Sequence, residues 1–282
     1  MKILIRTFYY LYRLCNTIRF LGVINTIKIF YFSKIARSTT LSINVFNNKF
    51  YFRPKIDIGS YSRLTKSQYI IKSTLNQPME YAIDAGANIG SQAIRFLNLN
   101  PKIKKIICVE PDTENSIICK KNLKNYPAKI YNNALASVSN EELFIHKTVN
   151  SEMSEIISMK NENLIKTNNF HKIKTISIND ILNMENLEKI DFIKFDINRS
   201  ENEVFSKNTE WLKITSCIAF NNVKINDAAS EIISLYENAV GSIKIQNIDQ
   251  MIFLIKDEIN WLPTKGFMSS KNVGFFEHDE RF

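Results

Sequence analysis

From residue 81 onward, short apolar runs of strand length alternate with segments whose apolar residues recur at helical spacing. This alternation predicts an α/β fold with a doubly wound, mostly parallel sheet. Two runs near the end of the chain are separated only by a turn at Ile248 and Asp249, and they predict a terminal antiparallel pair. The runs that predict strands lie at 81–83, 104–109, 128–134, 142–147, 173–177, 190–196, 215–220 and 242–255.

Residues 41–53 alternate between apolar and polar side chains on both sides of Asn47 and Asn48. Because Asn tolerates the positive φ of a tight turn, this segment predicts a β-hairpin. We therefore expect two parts in the chain. Residues 1–56 form a basic N-terminal helical arm with a hairpin, and residues 57–282 form the α/β domain.

The sequence predicts the structure of two connecting segments within the α/β domain. Asp112 is predicted to cap a helix that begins at Thr113 and carries Glu114 in its first turn. Residues 148–172 are polar and rich in Asn and Glu. They predict either a loop that covers a substrate or an unstructured insertion.

The decapeptide YAIDAGANIG, which starts at residue 81, joins a strand to a helix. Its apolar run leads into Asp84, and Gly86 and Gly90 then bracket Asn88. Gly86 can adopt backbone angles closed to other residues, and the N–H groups of a helix that starts near Gly90 can hold a polar group. The next predicted strand ends in Glu110, where an acid is well placed to accept both hydroxyls of a ribose. Together these residues predict a nucleoside-cofactor site.

The spacing of the glycines separates two classes of cofactor. A dinucleotide fingerprint reads G-x-G-x-x-G, and its second glycine admits a pyrophosphate. Here the pattern is D-x-G-x-N-x-G, with Asn88 where that approach would occur. It resembles motif I of the class I S-adenosylmethionine (SAM) methyltransferases, in which the loop wraps the amino-acid end of SAM and the later acid holds the ribose. The alternative is a strand–turn–helix corner that uses glycines only to make the turn and binds no cofactor. The position of Glu110 after the next predicted strand favours the cofactor site.

Four blocks in order, IDAGANIG, CVEPD, KTISINDIL and IDFIKFD, resemble the FkbM family of methyltransferases. The resemblance runs from about Asp57 to Leu212. It implies a Rossmann-like class I methyltransferase fold, SAM as the cofactor, and O-methylation of a hydroxyl on a sugar, glycan or similar small acceptor. It also implies that the tip of the third strand, at Asn133, lies beside the adenine.

The substrate half of the sequence departs from that family. Its usual pattern after the fourth strand resembles K-I-D-V-E-G-x-E, which Lys194, Asp196 and Glu201 match, whereas Asn198 and Arg199 replace the Glu and the Gly. At the end of the next strand the family often has an acid and a histidine, and this chain reads Asn-Asn-Val. Two functions therefore stay open. One is an active SAM-dependent O-methyltransferase, and the other is a SAM-binding homologue that has lost catalysis and acts as a binding or interaction protein.

Asp196 ends the predicted fourth parallel strand, beside the expected cofactor. Methyl transfer to a hydroxyl requires that the acceptor be positioned and lose its proton. Asp196 is the candidate for the general base or for the ligand of a divalent cation, and contact with the SAM amino group is the alternative. Lys194 is predicted to support the strand or the cofactor, and Glu201 to cap the next helix. No histidine lies in a motif, so none is assigned as the base.

The excess positive charge of the chain, +9 in total, lies at its N-terminus. Residues 1–56 contain ten Lys or Arg and no Asp or Glu. On a helix, Lys2, Arg6 and Arg13 fall within about 40° of one another, with apolar residues over much of the remainder. Residues 1–38 therefore predict either a helix on an anionic membrane surface or a helix packed on the domain with solvated lysines. Basic residues interrupt the apolar run too often for a spanning helix, and no RNA-binding module accompanies the charge, so we expect no nucleic-acid partner.

The four cysteines form no C-x-x-C pair, and only three histidines accompany them. This pattern predicts neither a zinc site nor a disulfide framework, and it favours a reducing cytoplasm. In the membrane-bound alternative, the arm would lie at the inner face of the membrane.

Overall fold

The computed structural model describes most of the chain between residues 40 and 264. The described residues are 14–15, 18, 22–27, 31, 40–54, 56–57, 60, 64, 71–146, 155–157, 170–197, 200–221, 228–248, 250–264, 266–268 and 275–277. The strands are β1 (Leu41–Val45), β2 (Asn48–Phe52), β3 (Tyr81–Ala85), β4 (Lys105–Val109), β5 (Ala128–Tyr131), β6 (Ala134–Leu135), β7 (Glu142–His146), β8 (Glu155–Ile157), β9 (Phe170–Ile176), β10 (Ile190–Phe195), β11 (Thr215–Asn221), β12 (Ile243–Ile248), β13 (Met251–Lys256), β14 (Gly266–Met268) and β15 (Phe275–Glu277). The helices are α1 (Ser91–Leu99), α2 (Thr113–Asn122), α3 (Ile178–Glu185), α4 (Glu201–Phe205), a 3₁₀-helix at Glu210–Ile214, and α5 (Ala228–Val240).

Seven strands form the central sheet in the order β12-β13-β11-β10-β3-β4-β5. Neighbours from β11 to β5 are parallel, and β13 runs antiparallel to both β11 and β12. The predicted doubly wound sheet with an antiparallel strand near one edge is therefore confirmed. Strands β4 and β5 lie on one side of β3, and β10 and β11 lie on the other, so the strand order reverses between β3 and β10. Open α/β sheets bind ligands at the carboxyl ends of their strands, at such a reversal.

The sheet separates two hydrophobic cores. Because successive side chains of a strand point to opposite faces, Ala82 and Phe192 lie in the core that contains the hairpin, α1 and α2. Ile83 and Ile193 lie in the core that contains α3, α4 and α5. The hairpin is thus packed on the same face of the sheet as the helix that follows the glycine loop.

The hairpin predicted at 41–53 is confirmed, but its turn lies one residue earlier than expected. Val45 pairs with Asn48, so Phe46 and Asn47 form the turn, with φ values of 49° and 62°. Positive φ at both central residues matches the twist of the two strands. Asn48 begins β2 instead, because its side-chain amide donates to the Phe46 carbonyl at 3.2 Å and to the Tyr126 hydroxyl at 3.1 Å.

A second sheet, in the order β6-β9-β7-β8, forms from the segment between β5 and α3. The strand predicted at 128–134 is divided, because β5 ends at Tyr131 and β6 begins at Ala134. The side chain of Asn132 explains the break, since it donates to the backbone carbonyls of Glu110 and Pro111 at 3.0 and 2.9 Å and turns the chain away from β4.

The loop or insertion predicted at 148–172 contains strand residues. β8 pairs antiparallel with β7, and β9 begins at Phe170 and pairs with the other side of β7. The sequence did not predict β8 or the first residues of β9, because residues 148–172 are mostly polar. Residues 147–154 and 158–169 lie outside the described residues.

The predicted cap of α2 is confirmed, since the Asp112 side chain accepts from the Asn115 N–H and Glu114 lies in the first turn. In the N-terminal arm, residues 14–15, 18, 23–27 and 31 are helical. Gly22 is described as well, and the remaining residues before residue 40 and the tail from residue 278 lie outside the described residues. The domain division at residue 56 stays a prediction. Within the part of the chain that the structure describes, no helix is long and apolar enough to cross a membrane.

Candidate functional site

The carboxyl ends of β3 and β10 meet at the reversal of strand order, and Gly86 and Asp196 touch there. The Asp196 N–H donates to the Ala85 carbonyl at 3.1 Å, and the Gly86 N–H donates to the Val109 carbonyl at 2.9 Å. Gly86 has a φ of +75°, and a Cβ at this position would lie 2.2 Å from the Asp196 carbonyl oxygen. Only glycine fits, so the turn after β3 is fixed by its contact with β10.

The loop after Gly86 turns twice more before α1 begins. Asn88 adopts a left-handed conformation with a φ of 51°, and Gly90 precedes the helix with a φ of 85°. The side-chain oxygen of Asn88 accepts from the Ile89 N–H at 2.8 Å and from the Ser60 hydroxyl at 2.6 Å. These contacts hold the backbone of the loop in one shape.

Glu110, the predicted ribose acid, is bound to this loop. Its Oε2 accepts from the Asn88 N–H at 2.8 Å. Its Oε1 accepts from the Asp112 N–H at 3.0 Å and from the Asn115 side-chain amide at 3.3 Å. A carboxylate can accept about four hydrogen bonds. The three donors found among the described residues leave one acceptor position, which is on Oε2. Both ribose hydroxyls were expected at this acid, and their binding there stays a prediction.

Glu110 is buried, with 6% of the residue's surface exposed. Burial disfavours the charged form and raises the pKa of Glu110 to about 7, against the opposing effect of its three hydrogen bonds. The carboxyl therefore changes charge near neutral pH. A donor placed at Oε2 would favour the carboxylate and lower this pKa.

Arg53 supports Glu110 through a buried network that the sequence did not reveal. Its guanidinium binds Asp57 with two hydrogen bonds of 2.9 and 2.8 Å and donates to the side-chain oxygen of Asn115. The hydrogen bonds and charge of Asp57 raise the pKa of Arg53 above its usual value, although burial alone would lower it. In the sequence, Arg53 counted as one of ten basic residues of the arm. The only local signal was an acid four residues later.

Asp84 and Lys194 form an ion pair inside the sheet, with 2.8 Å between Nζ and Oδ1. The two residues are cross-strand partners on β3 and β10, and their side chains are 0% and 2% exposed. Lys194 Nζ also lies 3.3 Å from the Gly86 carbonyl. The predicted cofactor residue Asp84 and the predicted catalytic residue Lys194 therefore contact each other and the glycine loop.

The other predicted catalytic residues surround the end of β10. Asp196 is half-buried at the strand end, two residues beyond Lys194. Glu201 is buried in the first turn of α4, and its Oε1 accepts from the Ile197 N–H at 3.1 Å, which closes the turn between β10 and α4. Asn221 ends β11 and is 9% exposed. The departures at residues 198, 199, 222 and 223 lie outside the described residues.

Asn133, the residue predicted beside an adenine, lies between the two sheets. Its side-chain amide donates to the Lys174 carbonyl of β9 at 3.1 Å. The preceding Asn132 bonds to the backbone of Glu110 and Pro111, so the tip of β5 is fixed to the acid. No group of three or more His, Cys, Asp or Glu side chains in the described part of the chain could hold a metal ion.

Comparisons with known proteins identify relatives of this chain. The family model described as the methyltransferase FkbM domain matches residues 84–239, more than half of the 282 residues. The 2-O-methyltransferase NoeI of Sinorhizobium fredii is 26% identical over 159 residues, a match that covers 52% of this chain and 65% of that protein. The chain thus spans less than two thirds of the length of this relative.

Two solved structures are among those similar in fold. Methyltransferase FkbM from Methylobacillus flagellatus aligns with a TM-score of 0.45 and 14% identity, over 62% of this chain and 43% of that chain. TrmK of M. capricolum in complex with S-adenosyl-homocysteine aligns with a TM-score of 0.33 and 11% identity, over 64% of this chain and 63% of that chain.

Proposed function

This chain belongs to the FkbM methyltransferase family, and from that premise we propose that it transfers a methyl group from SAM to a hydroxyl of a sugar, glycan or similar small acceptor. The observation that carries the proposal is the 2.8 Å hydrogen bond from the Asn88 N–H to Glu110. It brings the glycine loop after β3 and the acid after β4 together beside the reversal of strand order. A nucleoside cofactor needs a turned backbone and a ribose acceptor at that place.

The residues around the loop fit SAM. The remaining acceptor position on Glu110 Oε2 suits a ribose hydroxyl, and the backbone from Gly86 to Gly90 would contact the amino-acid end. Asn133 stays a predicted neighbour of the adenine. Bound SAM supplies an already activated methyl group on a sulfonium, so the protein has to orient the acceptor and remove its proton.

Asp196 is the proposed proton acceptor. With SAM bound, the Asp196 carboxylate would accept the proton that the acceptor hydroxyl loses on methylation. A divalent cation held by Asp196, which would lower the pKa of the hydroxyl, is the alternative role. Lys194 would hold the glycine loop in place through its contacts with Asp84 and the Gly86 carbonyl. Glu201 would hold the turn that follows Asp196 through its bond to the Ile197 N–H. Both are therefore proposed as positioning residues.

Oxygen is proposed as the methylated atom because NoeI is named a 2-O-methyltransferase. Since the match covers 65% of that protein, the acceptor class remains a proposal. A cytoplasmic location is proposed because Cys108, Cys119 and Cys217 are buried as free thiols.

The second candidate function is a SAM-binding homologue without catalysis. Asn198, Arg199 and Asn221 favour it, because none of these side chains can serve as a general base at neutral pH.

Titration calorimetry tests the cofactor assignment. We expect SAM to bind and NAD not to bind, and we expect Glu110→Ala to weaken SAM binding by about 10- to 100-fold through loss of the ribose contact. Preference for NAD, or unchanged SAM affinity in Glu110→Ala, would refute the site. Release of S-adenosylhomocysteine in the presence of a pool of saccharides then separates the two functions, because the homologue without catalysis binds SAM and releases none.

A further inference from the structure

Exposed large apolar side chains are concentrated in the helical residues of the N-terminal arm. Val23, Ile24, Ile27 and Tyr31 are 55%, 72%, 61% and 59% exposed. They are four of the nine large apolar side chains found exposed among the described residues, and the other five are scattered between residues 75 and 262. We call these four residues the apolar stripe.

The stripe residues at 23–27 lie on one side of their helical segment. At about 100° per residue, Val23, Ile27 and Ile24 lie within an arc of roughly 100° on a helix. Thr26 lies outside this arc, is 2% exposed, and donates from its hydroxyl to the Gly22 carbonyl at 2.8 Å. The helical segment therefore has a buried side at Thr26 and an exposed apolar side.

The charge of the surrounding sequence indicates which kind of surface the apolar stripe would bind. Residues 1–56 carry ten basic side chains and no acidic one, whereas the remaining 226 residues have 27 basic and 28 acidic side chains. Arg19 and Lys28 flank the stripe in the sequence. An apolar helix side within a segment of uniform positive charge is complementary to a surface that offers acyl chains beneath anionic phosphates.

We propose that the apolar stripe docks on an anionic lipid bilayer. Val23, Ile24, Ile27 and Tyr31 enter the boundary between headgroups and acyl chains, and the basic residues of the arm are attracted to the lipid phosphates. This places the protein peripherally on the membrane. The proposal is independent of methyl transfer, because none of the stripe residues belongs to the candidate site.

Vesicle flotation of the full chain tests the proposal. The protein is expected to float with phosphatidylglycerol-containing vesicles at low salt and not with pure phosphatidylcholine vesicles. The bound fraction is expected to fall severalfold as the salt concentration rises from about 0.05 M to about 0.5 M, because the Debye length shortens. Failure to float with anionic vesicles at low salt overturns the proposal.

A pair of matched double variants isolates the stripe. Ile24→Glu with Ile27→Glu is expected to reduce vesicle binding at least tenfold while SAM binding and the unfolding temperature stay unchanged. Leu75→Glu with Leu262→Glu introduces the same charge at side chains that are 94% and 62% exposed, and it is expected to bind vesicles much more strongly than the stripe variant. If the two double variants lost vesicle binding equally, the added negative charge alone would explain the loss, and the proposal would fail. A dimer that the stripe variant disrupts, without vesicle binding by the wild type, would assign the stripe to a second copy of the chain.

Discussion

Arg53 of the hairpin and Glu110 at the end of β4 bind opposite ends of one side-chain amide, that of Asn115. Arg53 donates to the amide oxygen, and the amide nitrogen donates to Glu110 at 3.3 Å. Because the amide oxygen is fixed by a buried guanidinium, the amide nitrogen must face the acid. The hairpin thereby sets the position of a carboxyl that lies 57 residues away in the sequence.

Arg53→Lys is expected to weaken SAM binding about tenfold and to lower the free energy of unfolding by roughly 1–3 kcal/mol. A lysine cannot reproduce the two bonds to Asp57 together with the bond to Asn115. Calorimetry and urea unfolding measure the two effects. Lys49→Arg, at an exposed position on β2 just before Arg53, is the control and should change both quantities little. If Arg53→Lys binds SAM as the wild type does, the network does not position Glu110.

SAM affinity is expected to rise with pH up to about 7 and then level off. Burial raises the pKa of Glu110 to about 7. Below that pH the carboxyl must lose a proton before it accepts from a ribose hydroxyl, which weakens binding by up to about tenfold per pH unit. Calorimetry between about pH 5.5 and pH 8.5 measures the slope. Glu110→Gln should bind weakly at every pH, and a wild-type affinity that does not vary with pH would contradict the assignment.

The same pKa has a consequence for folding. Between about 4.5, the ordinary value, and about 7, the folded protein holds more protons on Glu110 than the unfolded chain does. The contribution of Glu110 to stability is therefore full below about pH 4.5 and is lost as the pH rises to about 7, by on the order of 1–3 kcal/mol. Urea unfolding of the wild type and Glu110→Gln at matched pH values checks the sign, since the difference between them should change in this interval.

Gly86→Ala is expected to cost about 3 kcal/mol or more of unfolding free energy, because the new Cβ would lie 2.2 Å from the Asp196 carbonyl oxygen. Gly241 has a similar φ of +87°, and nothing lies within 4 Å of its Cβ direction. Gly241→Ala therefore isolates the cost of the left-handed backbone, about 1 kcal/mol. Equal losses in the two variants would show that contact with β10 does not constrain the loop.

Lys194→Met is expected to destabilise the protein by about 3–5 kcal/mol, because it leaves the buried Asp84 carboxylate without its cation. Adding Asp84→Leu should recover part of that loss. The exposed pair Lys172 and Glu142 is the comparison, and Lys172→Met there should cost less than about 1 kcal/mol. Additive losses at Asp84 and Lys194 in a double-mutant cycle would argue against an energetic coupling across the strands.

The sequence predicted the features that local patterns encode. Apolar runs located the strands of the central sheet, and the glycine spacing located the turn that the structure shows after β3. Asp112 was identifiable as a cap because its signal lies within three residues of the helix start.

Contacts between distant residues were not predictable in the same way. The sequence could not pair Arg53 with Asn115, because this bond depends on how the hairpin and α2 pack on one face of the sheet. It could not pair Ser60 with Asn88 either, because the two residues lie 28 positions apart and share no motif. Lys194 was interpreted by its place in a motif, and only the cross-strand register reveals Asp84 as its partner. Strand β8 and the first residues of β9 were missed because residues 148–172 are mostly polar.

The most direct test of the account measures single-turnover transfer of a labelled methyl group from SAM to saccharides, in the wild type and in Asp196→Asn. We expect the label on a hydroxyl oxygen of the acceptor. We also expect a rate about a hundredfold or more lower in Asp196→Asn, with SAM affinity nearly unchanged. Chelator sensitivity of the wild-type rate would assign Asp196 to a cation, and insensitivity would assign it to the proton. Tight SAM binding by the wild type with no label transferred to any acceptor would contradict the account and leave a binding protein.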